Sequence, residues 1–69
     1  MRGLRRFRRH TVVIHTKDDR SLRGVLVDAY SDCFALAHAQ YLEEATAVDL
    51  DGRAVVPREN VAWLQVVES

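Results

Sequence analysis

The side chains able to do chemistry are few and scattered along the 69 residues. His10, His15 and His38 are the candidate metal ligands, but they lie far apart and no ligand spacing recurs, whereas zinc sites normally show a local pair. Cys33 is the single cysteine, which excludes an internal disulfide and a Cys-x-x-Cys zinc pair and suggests a reducing compartment. Cys33 and His38 are five apart on one extended segment, an odd offset that sends them to opposite faces and argues against a cysteine–histidine catalytic pair. Cys33 then reads as a small buried hydrophobe. Asp18, Asp19, Asp28 and Asp32 fall at turns and strand edges, and turn chemistry alone accounts for three of them. With no glycine-rich phosphate loop and no nucleophile, base and orienting group in one pattern, the expectation is a protein without catalytic residues, metal or cofactor.

Binding chemistry is better represented. Ten basic and ten acidic residues cancel, but five of the ten basic residues (Arg2, Arg5, Arg6, Arg8 and Arg9) fall in Met1–Arg9, where there is no acid. The tail therefore carries +5 and the body, with five basic residues against all ten acids, carries −5. Such a tail suits a polyanion or a neighbouring acidic surface, and its plainer reading is a solubilising terminus. Tyr30 and Phe34 flank the Ser31-Asp32 turn and could form a platform for an unpaired base. The alternative, that both rings pack in the core, is favoured because the chain has only five aromatic residues. Arg58, after Pro57 in a corner, is a candidate phosphate or base contact or else a solvated turn charge. Trp63 is expected in the core or at a subunit interface. No apolar run approaches the roughly 18 residues of a membrane span, and no hydrophobic stretch follows the arginines as in a signal peptide, so the expectation is a soluble cytoplasmic protein with no membrane partner.

These residues must be positioned by a small scaffold. A chain of this length holds one small core and usually needs idealised packing, a crosslink, a metal or a partner subunit, and here oligomerisation is the expected support. Arg2–Arg9 could form a short helix, giving a basic tail over residues 1–10 ahead of a domain over 11–69. From Thr11 the residues become β-branched. Strands are predicted over Thr11–Thr16, Ser21–Tyr30 and Cys33–Gln40, then Thr46–Leu50 and Arg53–Val56 joined by an Asp51-Gly52 hairpin, then Val61–Val67 after the Pro57–Asn60 corner. Gly24, inside the second strand, marks a bulge or sharp bend. On the third strand Phe34, Leu36 and His38 are expected on one side and Ala35, Ala37 and Ala39 on the other. The architecture implied is mainly β: a short N-terminal helix followed by a five-stranded, strongly bent, open SH3-like barrel.

Two blocks carry a family resemblance. Val13-Ile14-His15-Thr16-Lys17-Asp18-Asp19-Arg20-Ser21-Leu22-Arg23-Gly24-Val25-Leu26 is a hydrophobic strand, a polar turn, and a glycine with leucine two positions later. Ala54-Val55-Val56-Pro57-Arg58-Glu59-Asn60-Val61-Ala62-Trp63-Leu64 is two hydrophobic strands around a tight polar corner. Together with the expected terminal helix, order and length, they make the chain resemble the Sm-like (LSm, Hfq-like) proteins from His10 to Val67, of bacterial or viral type. The departures lie in the loops. Tyr30-Ser31-Asp32-Cys33-Phe34 stands where the family has an aspartate and then a Met-Asn pair, Asp19 stands for a turn glycine, and Val56-Pro57-Arg58 stands for Ile-Arg-Gly.

The resemblance implies a cyclic homo-oligomer, hexamer or heptamer, closed by Arg53–Val56 of one subunit against Val61–Val67 of the next. It also implies binding of single-stranded, U- or A-rich RNA without catalysis, as an RNA chaperone or scaffold. By position the RNA-binding residues would be Tyr30, Asp32, Phe34, Arg58 and Asn60, with Arg5, Arg6, Arg8 and Arg9 of the tail adding electrostatic affinity. The rival expectation is a structural or protein-interaction ring in a bacterial or viral assembly that binds no RNA. A third is a small barrel that binds DNA through its arginine tail.

Overall fold

The computed structural model describes residues 6–68. Six strands form one antiparallel sheet: β1 (Thr11–Thr16), β2 (Ser21–Ala29), β3 (Cys33–Glu43), β4 (Thr46–Asp49), β5 (Arg53–Pro57) and β6 (Val61–Glu68). The hydrogen-bonded order is β4-β3-β2-β1-β6, with β5 also on β3. β-branched Val12 and Ile14 of β1 are fully buried, and with Leu22, Leu26, Ala29, Phe34, Leu36, Ala39 and Val56 they make the core. Phe7, Tyr41, Leu50, Ala54, Val61 and Leu64 pack around it. Among the described residues no helix is long and apolar enough to cross a membrane.

Two irregularities bend the sheet. Arg23 pairs with Gln40 and Val25 with Ala37, so His38 and Ala39 of β3 together oppose Gly24 alone. His38 takes a left-handed φ of 53°, as the extra residue of a bulge can. A Cβ on Gly24 would stand 3.1 Å from the Ala37 carbonyl oxygen and 3.2 Å from Ala39 Cα, so the glycine lets the bent strand close on its neighbour. The bulge also reverses the alternation on β3. Ala39 is buried and His38 is exposed, the opposite of the expected faces, because one inserted residue shifts the period of two. A second shift, between Leu26/Leu36 and Asp28/Ala35, turns Ala29 into the core although plain alternation placed it on the other side.

Three further expectations are corrected. Asp51-Gly52 does not make a hairpin: β4 and β5 do not pair with each other but both run along β3, Thr46–Asp49 on its second half and Arg53–Pro57 on its first. Gly52, at φ 70°, interrupts one path along β3, and the six strand segments read from the sequence all form, one more than the five of the expected barrel. β3 also continues through Tyr41-Leu42-Glu43, beyond Gln40, because Glu43 still pairs with Thr46. In place of the N-terminal helix, the described part of the tail makes only a 3-10 turn at Arg6-Phe7, tied by His10 N–H to the Phe7 carbonyl at 3.0 Å. Arg9, at φ 71°, then turns its N–H to the Leu26 carbonyl at 2.7 Å, which ends any helical continuation and ties the tail to β2. The expected helix residues before Arg6 lie outside the described residues.

Candidate nucleic-acid interface

The β2–β3 connection and the corner between β5 and β6 are brought together by backbone bonds. Tyr30 N–H donates to the Cys33 carbonyl at 2.8 Å, closing the turn, and Arg58 N–H donates to the Asp32 carbonyl at 2.8 Å. Pro57 precedes a 3-10 turn over Arg58–Asn60, its fixed φ of −58° suiting the entry to that turn. The Arg58 guanidinium lies 4.5 Å above the centre of the Phe34 ring, and its Nε and Nη2 point at the Tyr30 carbonyl at 3.4 and 3.3 Å. The result is a shallow groove lined by Ser31, Asp32, Cys33, Val55, Pro57 and Arg58.

Of the residues expected to meet RNA, Tyr30 and Asp32 are exposed here and Arg58 is half-buried. Phe34 is 3% exposed, in the core beneath Arg58, so it supports the guanidinium and offers no open face to a base. Asn60 belongs to a different groove, with Thr16, Leu22 and Tyr41, and its carbonyl accepts the Lys17 N–H at 2.8 Å. The Tyr30–Phe34 platform is therefore not formed as a pair of exposed rings. Cys33 is half-buried, and its thiol is pushed above the ordinary range by burial and then by the hydrogen bond and charge of Asp32, with Arg58 pulling the other way. A protonated thiol of this kind is a poor nucleophile.

The tail arginines occupy another part of the surface. Arg6, Arg8 and Arg9 are exposed, and Arg8 and Arg9 border a groove with Val25, Leu26 and Val27 of β2. Arg6 lies 5.7 Å from the centre of the Phe7 ring, and Phe7 anchors the segment by packing against the core. Arg5 lies outside the described residues. Among the described residues no three of His, Cys, Asp and Glu converge as a metal site requires.

His15 and Trp63 form a contact that neither residue type announced. Their rings stack with centroids 3.9 Å apart and planes 10° from parallel. His15 is half-buried under the indole, with its Nδ1 3.1 Å from Ser21 Oγ. Trp63 remains 55% exposed. The only sequence signal was that both stand on strands that could pair, since the β1–β6 register decides which residues meet.

Solved structures decide the architecture. A heptameric archaeal Sm protein superposes with a TM-score of 0.87 at 22% identity, covering 97% of this chain and 98% of that one. The fold is that of the Sm proteins. The SmAP1 heptamer of P. aerophilum gives a TM-score of 0.88 at 22% identity, over 99% of this chain and 92% of that one. A chain of the NatC complex bound to Gag peptide and CoA gives 0.80 at 25% identity, over 91% and 89% of the two chains. Chains of this fold thus occur in heptamers and in the NatC complex. No protein-family model and no curated protein matches the sequence.

Proposed function

We propose that this chain assembles into a closed ring of identical subunits and binds single-stranded RNA without catalysing a reaction. The observation that carries the reading is the pair of open strand edges. Among the described residues β6 is hydrogen-bonded only to β1 and β5 only to β3, and both carry exposed apolar side chains: Trp63, Val66 and Val67 on β6, Val55 on β5. Open edges of this composition invite further strand pairing, and a head-to-tail contact between two different edges closes into a ring when the rotation permits. Six or seven copies are proposed, in keeping with the heptamers that share the fold.

RNA binding divides between two regions in this reading. The tail, residues 1–10, supplies charge through Arg5, Arg6, Arg8 and Arg9 ahead of the barrel over 11–69. The groove at Tyr30, Asp32 and Arg58 supplies base contacts, with Phe34 as the floor beneath Arg58 and Asn60 at a distance from it. U- or A-rich single strands are the proposed ligand, met in the cytoplasm. Gel shifts with oligo-uridine, oligo-adenosine and duplex DNA test this directly. Binding of the oligoribonucleotides in preference to the duplex is the expected result.

The second reading, a protein-interaction ring that binds no RNA, draws on one specific observation. Arg58, which a base would have to meet, is already engaged by the Phe34 ring and the Tyr30 carbonyl. A ring-sized oligomer that fails to shift any nucleic acid at low salt would establish this second reading in place of the first.

A further inference from the structure

Trp63 is the sole tryptophan, and 55% exposure is unusual for so large an apolar side chain. One face of its indole is covered by His15, which is itself held by Ser21. The indole is thus set rigidly on the sheet with its other face open. Along β6, Trp63 and Gln65 stand beside His15 and Val13, whereas Leu64 and Val66 stand beside the core residues Ile14 and Val12. Trp63 therefore belongs to the outer face of the sheet.

The opposite edge carries a matching feature. On β5, Val56 and Ala54 pair with the core residues Phe34 and Leu36, while Arg53 and Val55 stand beside Ala37 and Ala35. The row Arg53–Ala37–Val25–Thr11 runs across four strands, so this is the same outer face that bears Trp63. Val55 is 63% exposed, the most open of the large hydrophobic side chains among the described residues. One edge thus ends in a fixed aromatic plane, the other in a bare β-branched side chain on the same face. When one strand adds to another, side chains directly opposite on one face come within about 5 Å, close enough for aromatic and β-branched residues to pack.

We infer that Val55 of one copy packs against the open face of Trp63 of the next, with His15 as the rigid backing, and that this contact anchors the subunit interface. The inference rests on the ring reading and names the side chains that close it. The second copy is the occupant because a single added strand covers both exposed groups at once and extends the core face as well, bringing Ala54 and Val56 alongside Leu64 and Val66. Buried aromatic anchors of this kind carry a large share of interface energy.

The indole reports on its own burial, so the test compares the oligomer mass of the full chain with those of Val55→Glu and Trp63→Ala, and its tryptophan emission with that of Val55→Glu. Val55 lies outside the core cluster, and far-UV circular dichroism should show Val55→Glu folded. Expected results are self-association at least about tenfold weaker in both variants and a red-shifted emission in Val55→Glu as the indole meets water. An oligomeric wild type whose mass and emission are unchanged by Val55→Glu overturns the contact and leaves the ring standing. A monomeric wild type overturns both. Quenching of Trp63 by oligo-uridine in the assembled wild type also overturns the contact, since the indole would then be open to a base.

Discussion

Cys33 and Arg58 show how far single residues can be read. The thiol lies beside Asp32, and burial, hydrogen bonding and the carboxylate's charge all favour its protonated form. Asp32→Asn removes the charge, so the thiol pKa should fall and the thiolate fraction at pH 8 should rise. Iodoacetamide alkylation followed across pH checks this: the rate profile of the variant should move to lower pH, and an unmoved profile would contradict the assigned cause. The sequence placed Cys33 at the start of the third strand and Arg58 in a corner but not against each other, because the two segments meet through backbone bonds such as Arg58 N–H to the Asp32 carbonyl. Spacing along one chain segment carries no information about such closures. The scarcity of aromatics pointed both Tyr30 and Phe34 into the core, which holds for Phe34 but not for Tyr30, 44% exposed, and the role of Phe34 under Arg58 was not legible. The His15–Trp63 stack was hidden for a further reason, since it depends on the register of two strands nearly fifty residues apart.

At the scale of elements, Gly24 is the position where an added side chain would crowd the neighbouring strand. Its would-be Cβ meets the Ala37 carbonyl at 3.1 Å and the Ala39 backbone at 3.2 Å, neither of which can swing aside as a flexible side chain would. Gly24→Val should cost about 1 to 3 kcal/mol, read as a lowered midpoint in urea unfolding, and an unchanged midpoint would argue against the bulged pairing of β2 and β3. The bend was legible because a lone glycine inside a β-branched run weakens the strand unless the backbone must bend or approach its neighbour closely there. The reversal of faces after His38 was not, since an inserted residue leaves no mark on composition. Asp51-Gly52 misled for a related reason. A glycine with positive φ serves a hairpin and a strand break equally well, and only the pairing of β4 and β5 with one strand, β3, separates the two. The tail shows local pattern yielding to tertiary contact: Phe7 and the Arg9 N–H are claimed by the barrel, so Arg6-Phe7 makes a turn where charge and spacing allowed a helix.

For the whole molecule, the separation of a +5 tail from a −5 body sets how it should meet RNA. If the five tail arginines of one subunit engage a single strand, log affinity should fall against log salt with a slope of about −3.5, steeper when several tails act together. Removing residues 1–9 should flatten the slope and weaken binding to all sequences alike, while Arg58→Ala should mainly alter base preference. Titrations at several salt concentrations check both, and a truncated chain that binds as tightly with the same slope would remove the tail from the account. The fold class was legible because hydrophobic alternation, turns and the bend at Gly24 agree along the chain. The expectation of assembly drew on a core too small to stand alone with ease. The central claim is that the open edges of β5 and β6 find each other across subunits. Native mass spectrometry of the full chain at micromolar concentration tests it most directly: a single species at six or seven times the 7.9 kDa of one chain is the predicted result, and a monomer under the same conditions would contradict it.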